Sequence, residues 1–249
     1  MTTTSNRIGI ALSGGGYRAT AFHLGTLKKL DEMAILHDVD VISTISGGSI
    51  TGACYCSRTG DFASFYIELY LGLQKKNVIK NILLSWLGFR FLLFAILFLG
   101  SFYFLFTGNA WLCPVIIILL IVLLLKFQFS LFPISKRIES IYDDFFYKKK
   151  TLGELPVKPV LVIGSTNLQT AKPFSFSKYW MQDSTYQFMD DPIKFKAGGF
   201  PLARAVMASS CVPFAFTPVT IDKKFFEDQS EADKVHPVLV DGGVYDNQG

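Results

Sequence analysis

Short apolar runs alternate with segments of helical periodicity at the start of the chain. Residues 8–13 and 39–45 are apolar or β-branched runs that end in glycine-containing turns, which is typical of buried strands. Residues 19–33 carry apolar side chains at helical spacing, and residues 49–58 are also predicted to form a helix. The order strand, helix, strand, helix predicts an α/β fold with a central, mostly parallel sheet that is covered by helices.

The same two patterns recur along the rest of the chain. Residues 62–74 and 135–147 are amphipathic at helical spacing, and residues 202–209 form a further predicted helix. Residues 160–165 and 237–240 are short apolar runs, which we interpret as two more buried strands. The second half therefore extends the same α/β domain.

Two long uncharged segments interrupt this pattern. Residues 91–106 and 111–125 contain no charged side chain. The hydrocarbon core of a bilayer is about 30 Å thick, and a helix of about 20 apolar residues crosses it. The first segment reaches this length if it begins near Trp86, and the second if it continues to Phe132. We therefore predict an inserted two-helix transmembrane hairpin.

Basic residues mark the outer ends of this hairpin. Arg90 and Lys126 lie toward the outer ends of the two segments, where long basic side chains can reach the membrane interface. The connecting turn at residues 108–109 is uncharged, so the positive-inside rule places the rest of the chain in the cytoplasm. The flanking basic residues are Lys75, Lys76, Lys80, Lys136, Arg137, Lys148, Lys149 and Lys150.

Two other arrangements of the hairpin remain open at this point. Its helices could lie buried in the core of a soluble domain, although two uncharged segments in succession are difficult to bury in 249 residues. They could also insert into one leaflet without crossing it. We divide the chain into residues 1–80 as the first part of the α/β domain, 81–132 as the membrane insertion, and 133–249 as the second part.

Composition supports a membrane protein and argues against several other classes. Half of the residues are hydrophobic and the mean hydropathy is +0.36, which is high for a soluble domain of this size. The net charge of +4 includes no basic run with interleaved aromatics, so we expect a lipid bilayer and no nucleic acid as a partner. The four cysteines form no C-x-x-C pair and the three histidines are scattered, so we expect reduced cysteines, no metal and no cofactor.

The first candidate for chemistry is the glycine-rich loop after the first strand. Gly14, Gly15 and Gly16 precede a predicted helix, where exposed backbone N–H groups can bind a phosphate or stabilise an oxyanion, and Arg18 adds positive charge. The same loop loosely matches a dinucleotide-binding fingerprint, but the second strand does not end in the acidic residue which that reading expects. No Walker Gly-Lys-Ser/Thr follows either, and a plain tight turn remains an alternative.

The second candidate is the turn after the second strand. Ser46 is followed by Gly47 and Gly48 between a strand and a helix, which nearly matches the G-x-S-x-G nucleophile elbow. Thr44 occupies the position of the first glycine and is the one departure from that pattern. Ser43 and Ser49 are nearby alternatives as nucleophile, although neither is followed by two glycines, and a structural serine in a glycine-rich turn is the simplest other reading.

A serine nucleophile needs a base, and the chain offers two. His236 is the only histidine after Ser46, but it precedes a predicted strand rather than following one. Asp241 ends that strand and is followed by Gly242 and Gly243, so a parallel sheet would place it at the same edge as Ser46. A carboxylate within hydrogen-bonding reach can accept the serine proton directly, although a D-G-G sequence is also a common turn.

Together these motifs resemble the patatin-like phospholipase family. That family has a G-G-G-x-R loop, a G-x-S-x-G elbow and a D-G-G/A motif in this order, matched here by residues 14–18, 44–48 and 241–243. Residues 207–213 are similar to its A-S-x-A-x-P segment, and residues 165–170 to its T-D-L-x-T stretch.

The resemblance covers residues 8–60 and 156–249, and the hydrophobic hairpin is an insertion outside it. It implies a three-layer α/β fold and a Ser46–Asp241 dyad that needs neither metal nor histidine. It also implies an oxyanion hole around Gly15 and Gly16. More structure usually follows the D-G-G motif in the family, so we expect that the chain is truncated at its C-terminus or is a short member.

The resemblance implies a lipid acyl hydrolase of the phospholipase A or lysophospholipase type, which cleaves membrane phospholipids or other acyl lipids at the cytoplasmic face. The alternative is a membrane-anchored, catalytically inactive scaffold that binds lipid and in which Thr44 marks a decayed elbow.

Overall fold

The computed structural model describes residues 7–75 and 78–249. Lys76, one of the predicted flanking lysines, lies outside these ranges. The chain divides into two compact units, of which one combines Met1–Lys76 with Glu139–Gly249 and the other is Asn77–Ile138. The first unit contains the sheet and the candidate catalytic residues, and the second contains the long apolar helices.

A seven-stranded sheet organises the first unit. Strands β1 to β5 are hydrogen-bonded in that order, and β7 pairs with both β3 and β6. The strands are β1 (Ile8–Leu12), β2 (Val39–Ile45), β3 (Val160–Asn167), β4 (Lys172–Ser177), β5 (Met181–Asp183), β6 (Val219–Thr220) and β7 (Val238–Asp241).

The prediction of a mostly parallel sheet is wrong. Among the described strands, the β1–β2 and β2–β3 pairs are parallel, whereas the β3–β4, β4–β5, β3–β7 and β6–β7 pairs are antiparallel. A parallel pair needs a crossover of a dozen or more residues. Residues 168–171 are too few for one, so β4 turns back along β3 as a hairpin. The chain is therefore a mixed α/β fold around a central sheet.

The antiparallel direction of β7 determines where Asp241 lies. On one side of β3, strand β4 covers Val162 to Asn167, so β2 and β7 must share the other side. Strand β2 pairs as far as Gly164, and β7 pairs with the next three residues in the opposite direction. The C-terminal ends of β2 and β7 therefore meet head to head beside Ser165. Asp241 reaches Ser46 by this route and not along the carboxyl edge of a parallel sheet.

Helices pack on the sheet and connect its strands. Helix α1 begins at Gly16 and α2 at Gly47, which is three and two residues earlier than predicted. All eleven residues of α2 are buried, which explains its glycines and small side chains. The helices are α1 (Gly16–Glu32), α2 (Gly47–Ser57), α3 (Phe62–Lys75), α4 (Val78–Leu83), α5 (Trp86–Ser101), α6 (Leu112–Leu131), α7 (Ile134–Tyr142), α8 (Ser184–Gln187) and α9 (Leu202–Ser209).

The predicted helix at residues 135–147 changes character along its length. Helix α7 continues as a π-helical turn at Asp143–Tyr147, and Lys148 then adopts a left-handed conformation. Further single turns of 3-10 helix connect the other elements. They lie at Leu36–Asp38, Phe102–Phe106, Leu152–Glu154, Lys223–Phe225, Gln229–Asp233 and Gly242–Val244.

The second unit is a helical hairpin with an apolar surface. Helices α5 and α6 pack against each other, and Arg90 donates a hydrogen bond of 2.8 Å to the carbonyl oxygen of Leu131. The ring of Phe91 stacks on that of Phe132 with 4.2 Å between the ring centroids. Trp86–Phe106 and Leu112–Tyr147 are each long and apolar enough to cross a membrane, judged by length and composition alone.

Candidate active site

Ser46 lies in a strained turn between β2 and α2. Its φ of 50° and ψ of −118° fall in a backbone region that residues other than glycine rarely adopt. A Cβ added at Gly47 would lie 2.1 Å from the carbonyl oxygen of Gly16, and one added at Gly48 would lie 2.1 Å from that of Leu12. The two glycines therefore allow the serine turn to contact the first strand and the glycine-rich loop.

The hydroxyl of Ser46 is hydrogen-bonded to Asp241. Ser46 Oγ donates to Asp241 Oδ2 over 2.8 Å, and the two residues are only 6% and 7% exposed. Asp241 Oδ1 accepts a second hydrogen bond of 2.8 Å from the backbone N–H of Gly243. Thr166 Oγ1 donates to the main-chain oxygen of Asp241 over 3.0 Å, which attaches the end of β7 to β3. The carboxylate is thereby aimed at the serine.

Burial changes the acidity of Asp241. Desolvation raises its pKa, and the hydrogen bonds from Gly243 and Ser46 oppose this, so that the net pKa lies above the usual value of 3.8. A carboxylate with a raised pKa is a stronger base, and it can therefore accept a proton from Ser46 more readily than an exposed aspartate can.

The glycine-rich loop contributes backbone groups beside Ser46. Gly15 has a φ of 140° and caps α1, and Gly16 has a φ of 60° and is the first helical residue. The first N–H groups of a helix have no acceptor within the helix. The N–H of Gly16 can therefore donate a hydrogen bond to a bound oxyanion. The N–H of Gly14 instead donates to the carbonyl oxygen of Asn247 over 3.0 Å, and Arg18 is exposed.

Thr44 fits the elbow although it replaces a glycine. Its side chain is fully buried, and its Oγ1 donates to the carbonyl oxygen of Val162 over 3.1 Å. Helix α2 has a glycine at the position facing it, and a Cβ at Gly52 would lie 2.6 Å from the methyl group of Thr44. The small residue that the elbow usually has in its strand is thus supplied here by the helix.

Sequence reasoning assigned no role to a serine that contacts the backbone of Ser46. The N–H of Ser46 donates to Ser209 Oγ over 2.9 Å. Ser49, one of the alternative nucleophiles, is fully buried and is hydrogen-bonded to Thr44 and Ser209. The similarity of residues 207–213 to a family segment pointed to this region, but only the fold brings Ser209 next to Ser46.

None of the three histidines is hydrogen-bonded to Ser46 in the part of the chain that the structure describes. His23 is buried and its Nε2 lies 2.9 Å from the carbonyl oxygen of Ser13, whereas His37 and His236 are exposed. Over the same residues, no group of three histidine, cysteine or acidic side chains is arranged to hold a metal ion. All four cysteines lie within the described residues, are buried and form no disulfide. Among the described side chains, the Asp241 carboxylate is the titratable group that is hydrogen-bonded to the Ser46 hydroxyl.

Comparison with known proteins shows the family to which this chain belongs. The sequence model of the patatin-like phospholipase family matches residues 10–248. The chain belongs to this family. The chain is also similar to the neuropathy target esterase sws of Drosophila melanogaster and of Drosophila erecta. Each is 44% identical over 55 residues, which are 22% of this chain and 4% of the relative.

The match to these two esterases thus spans only a small part of their length. Among solved structures, VipD from Legionella pneumophila is similar to this patatin-like chain with a TM-score of 0.49 and 16% identity. The alignment covers 98% of this chain and 47% of VipD.

Proposed function

We propose that this protein is a serine acyl hydrolase of membrane lipids, of the phospholipase A or lysophospholipase type, which acts through a Ser46–Asp241 dyad. The observation that carries the proposal is the 2.8 Å hydrogen bond from Ser46 Oγ to Asp241 Oδ2 at a strained strand-to-helix turn. Membership of the patatin-like phospholipase family and the partial similarity to esterases support lipid acyl hydrolysis as the class of activity.

The first half-reaction transfers the acyl group to the enzyme. Asp241 accepts the proton of Ser46 as Oγ attacks the ester carbonyl carbon, and the carbonyl oxygen becomes an oxyanion. Asp241 then gives the proton to the leaving alcohol as the ester C–O bond breaks. An acyl-serine and a free alcohol remain, which would be a lysolipid if the substrate is a phospholipid with two acyl chains.

The second half-reaction repeats these proton transfers with water. Asp241 accepts a proton from a water molecule as the water oxygen attacks the acyl-serine carbonyl carbon. Asp241 then returns the proton to Ser46 Oγ when the bond between Oγ and the acyl carbon breaks. A free fatty acid leaves, and the Ser46–Asp241 hydrogen bond re-forms.

Backbone groups at two helix N-termini would stabilise the oxyanion. Gly15 and Gly16 stand at the start of α1 and Gly47 at the start of α2, and the backbones of Gly16 and Gly47 are in contact. Both helices therefore place the positive ends of their dipoles at this point. One such donor is typically worth about 10²- to 10³-fold in kcat. Arg18 is exposed and would act on an anionic lipid by its charge rather than as a donor in the hole.

We also propose that residues 81–132 form a membrane insertion between the two parts of the catalytic domain. Only 6% and 11% of the most apolar windows of the two long helical segments are buried. This low burial argues against the core of a soluble domain and favours contact with lipid. The basic residues that flank the hairpin favour a cytoplasmic catalytic domain. Anchoring would raise the local concentration of lipid substrate without adding a catalytic group.

The scaffold alternative receives no support from the elbow. It was based on Thr44, whose side chain packs against Gly52 and hydrogen-bonds to β3 without a clash. Ser46 and Asp241 are also both present and in contact.

The proposal is tested by serine labelling and lipid turnover in membranes that contain the full chain. We expect a fluorophosphonate probe to label wild type and not Ser46→Ala. We also expect wild type, but not Ser46→Ala, to release fatty acid from phosphatidylcholine or lysophosphatidylcholine. Ser177→Ala is the matched control, because it removes another buried serine hydroxyl, which accepts the backbone N–H of Tyr179 at the end of β4. Equal labelling of wild type and Ser46→Ala would place the nucleophile elsewhere, and a folded wild type without either activity would favour the scaffold.

Membrane insertion is tested by extraction. We expect wild type to stay in the pellet when membranes are washed with alkaline carbonate, because two apolar helices hold it in the bilayer. Introducing a charge into each helix, by Leu97→Lys and Ile118→Lys together, should release a substantial fraction, since a lysine at the centre of a membrane helix costs about 3 kcal/mol. As a control, Lys149→Gln changes a charge outside the hairpin. Release of wild type by carbonate would contradict the insertion.

A further inference from the structure

We propose that Ser209 is a positioning residue for the nucleophile, and that it acts through the backbone of Ser46. The inference rests on the proposed serine hydrolase function and adds to it a residue that holds the elbow in its reactive shape. Ser209 is the last residue of α9, is fully buried, and accepts a hydrogen bond of 2.9 Å from the N–H of Ser46.

A chain of three buried hydroxyls fixes the position of Ser209 Oγ. It lies 2.6 Å from the carbonyl oxygen of Gly164 and 2.8 Å from Ser49 Oγ, which in turn lies 3.0 Å from Thr44 Oγ1. The side chains of Thr44, Ser49 and Ser209 are all inaccessible to solvent. The hydroxyl hydrogens of Thr44 and Ser209 are donated to the backbone carbonyl oxygens of Val162 and Gly164, and Ser49 shares its hydroxyl with Thr44 and Ser209. A hydroxyl oxygen also has two lone pairs, so Ser209 Oγ can accept the N–H of Ser46.

The hydrogen bond from Ser46 to Ser209 helps to hold the strained conformation of Ser46. A serine with a φ of 50° returns to a common conformation unless its surroundings prevent it. The bond to Ser209 holds the amide side of the residue, and the tight contact of Gly47 with Gly16 holds the carbonyl side. A backbone rotation that returned Ser46 to a common φ would move Oγ away from Asp241, and it would require that the buried hydrogen bond to Ser209 be broken.

The same bond limits which groups can stabilise the oxyanion. The N–H of Ser46 is directed at Ser209 and is not available to substrate. The N–H groups of Gly15, Gly16 and Gly47 remain as candidates at the two helix N-termini. Ser209 thus shapes the site in two ways, by holding the nucleophile and by excluding one amide from the oxyanion hole.

Thr44 connects this chain of hydroxyls to the sheet. Its Oγ1 bonds both to Ser49 and to the carbonyl oxygen of Val162, so that β2, α2, α9 and β3 are joined around the elbow. A glycine at this position would leave Ser49 without that partner. The departure from the G-x-S-x-G pattern therefore belongs to the support of Ser46 in this chain.

A merely structural role for Ser209 predicts a different result from a positioning role. Removing a hydroxyl that is merely structural lowers the stability of the protein but leaves the kcat of the folded fraction unchanged. Ser177 is the matched control, because it is also fully buried and its Oγ accepts a backbone N–H, that of Tyr179, over 3.4 Å at the end of β4. It does not contact Ser46, Asp241 or the glycine-rich loop.

The experiment compares Ser209→Ala, Ser209→Cys and Ser177→Ala in the full chain, in detergent, with a soluble short-chain ester as substrate. For Ser209→Ala we expect kcat to fall by about 100-fold, because small displacements of a reacting group have effects of this size. We expect KM to change by less than about two-fold, and the rate of fluorophosphonate labelling to fall with kcat. Ser209→Cys, whose sulfur is a weaker acceptor, should give an intermediate kcat. Ser177→Ala should lower the thermal midpoint and leave kcat at the wild-type value.

Each outcome decides the inference. Wild-type kcat in folded Ser209→Ala, or a loss matched by Ser177→Ala, would overturn it. If Ser209→Ala does not fold, Ser209→Cys decides, and wild-type kcat in that variant overturns the inference. If wild type itself shows no Ser46-dependent labelling, the proposed function fails and the inference fails with it. If wild type is labelled at Ser46 and the Ser209 variants keep the wild-type kcat, the inference is refuted and the proposed function stands.

Discussion

Replacing Asp241 with asparagine is expected to lower kcat for acyl ester hydrolysis by about 10⁴-fold, the loss seen when a catalytic carboxylate is made neutral. Asparagine keeps the shape of the side chain and can still accept the N–H of Gly243, but it cannot take the proton of Ser46. The measurement is kcat on a soluble ester, together with the rate of fluorophosphonate labelling.

Asp183→Asn is the matched control for this variant. Asp183 is as deeply buried as Asp241, but it is bonded to Asn167 and Thr170 and not to Ser46. We expect its kcat to stay within a few-fold of wild type. Near-wild-type kcat in Asp241→Asn would show that another group serves as the base.

The two members of the dyad should also act as a unit. Ser46→Ala alone and the double variant with Asp241→Asn are expected to have the same residual activity, because the base has no function without the nucleophile. Additive losses would show that the two residues act independently.

The raised pKa of Asp241 adds a pH signature to the same experiment. The base works only when ionised, so kcat/KM should fall as the pH drops through a pKa that lies above the usual value of 3.8. A raised pKa means that the folded state favours the neutral carboxyl. The contribution of Asp241 to the free energy of unfolding is therefore fully present below its pKa in the unfolded state. It is lost as the pH rises through its pKa in the folded state.

Asp241→Asn should consequently gain stability over wild type as the pH is raised from acid to neutral, since asparagine has no charge to bury. Thermal unfolding of both proteins in detergent over this range measures the difference. A gain that shrinks toward neutral pH would contradict the assigned direction of the pKa shift.

Gly47→Ala is expected to have the largest effect on folding among single substitutions at the site. The added methyl group would lie 2.1 Å from the carbonyl oxygen and 2.9 Å from the nitrogen of Gly16. These are backbone atoms at the start of α1, so neither can swing away as a side chain would. We expect a loss of about 3 kcal/mol in the free energy of unfolding, together with loss of serine labelling, because the glycine-rich loop and the elbow are pushed apart.

Gly25→Ala in the exposed part of α1 is the control for this change. No atom lies within 4 Å of a Cβ at Gly25, so the same added methyl group should stabilise the helix by about 0.5 to 1 kcal/mol. Chemical unfolding in detergent compares the two variants with wild type. Equal stability of Gly47→Ala and wild type would show that the two loops separate without cost and do not form one rigid site.

Local patterns in the amino-acid sequence were enough to predict most of the secondary structure and the candidate residues of the site. Apolar runs that end in glycines predicted β1 and β2 correctly, and uncharged segments of sufficient length predicted α5 and α6. These features are local, because a strand, a turn and an apolar helix are each specified by neighbouring residues. Ser46 and Asp241 became candidates for the same reason, since each stands at the end of a strand beside glycines.

How these parts meet depends on the packing of the whole domain. The sheet turned out to be mainly antiparallel in its second half, so Asp241 reaches Ser46 from the opposite direction to the one expected. Contacts of Ser209 with Ser46 and of Asn247 with Gly14 join residues far apart in the chain. Strand direction and such long-range hydrogen bonds depend on the packing of whole elements, and no local pattern of apolar and polar residues encodes that packing.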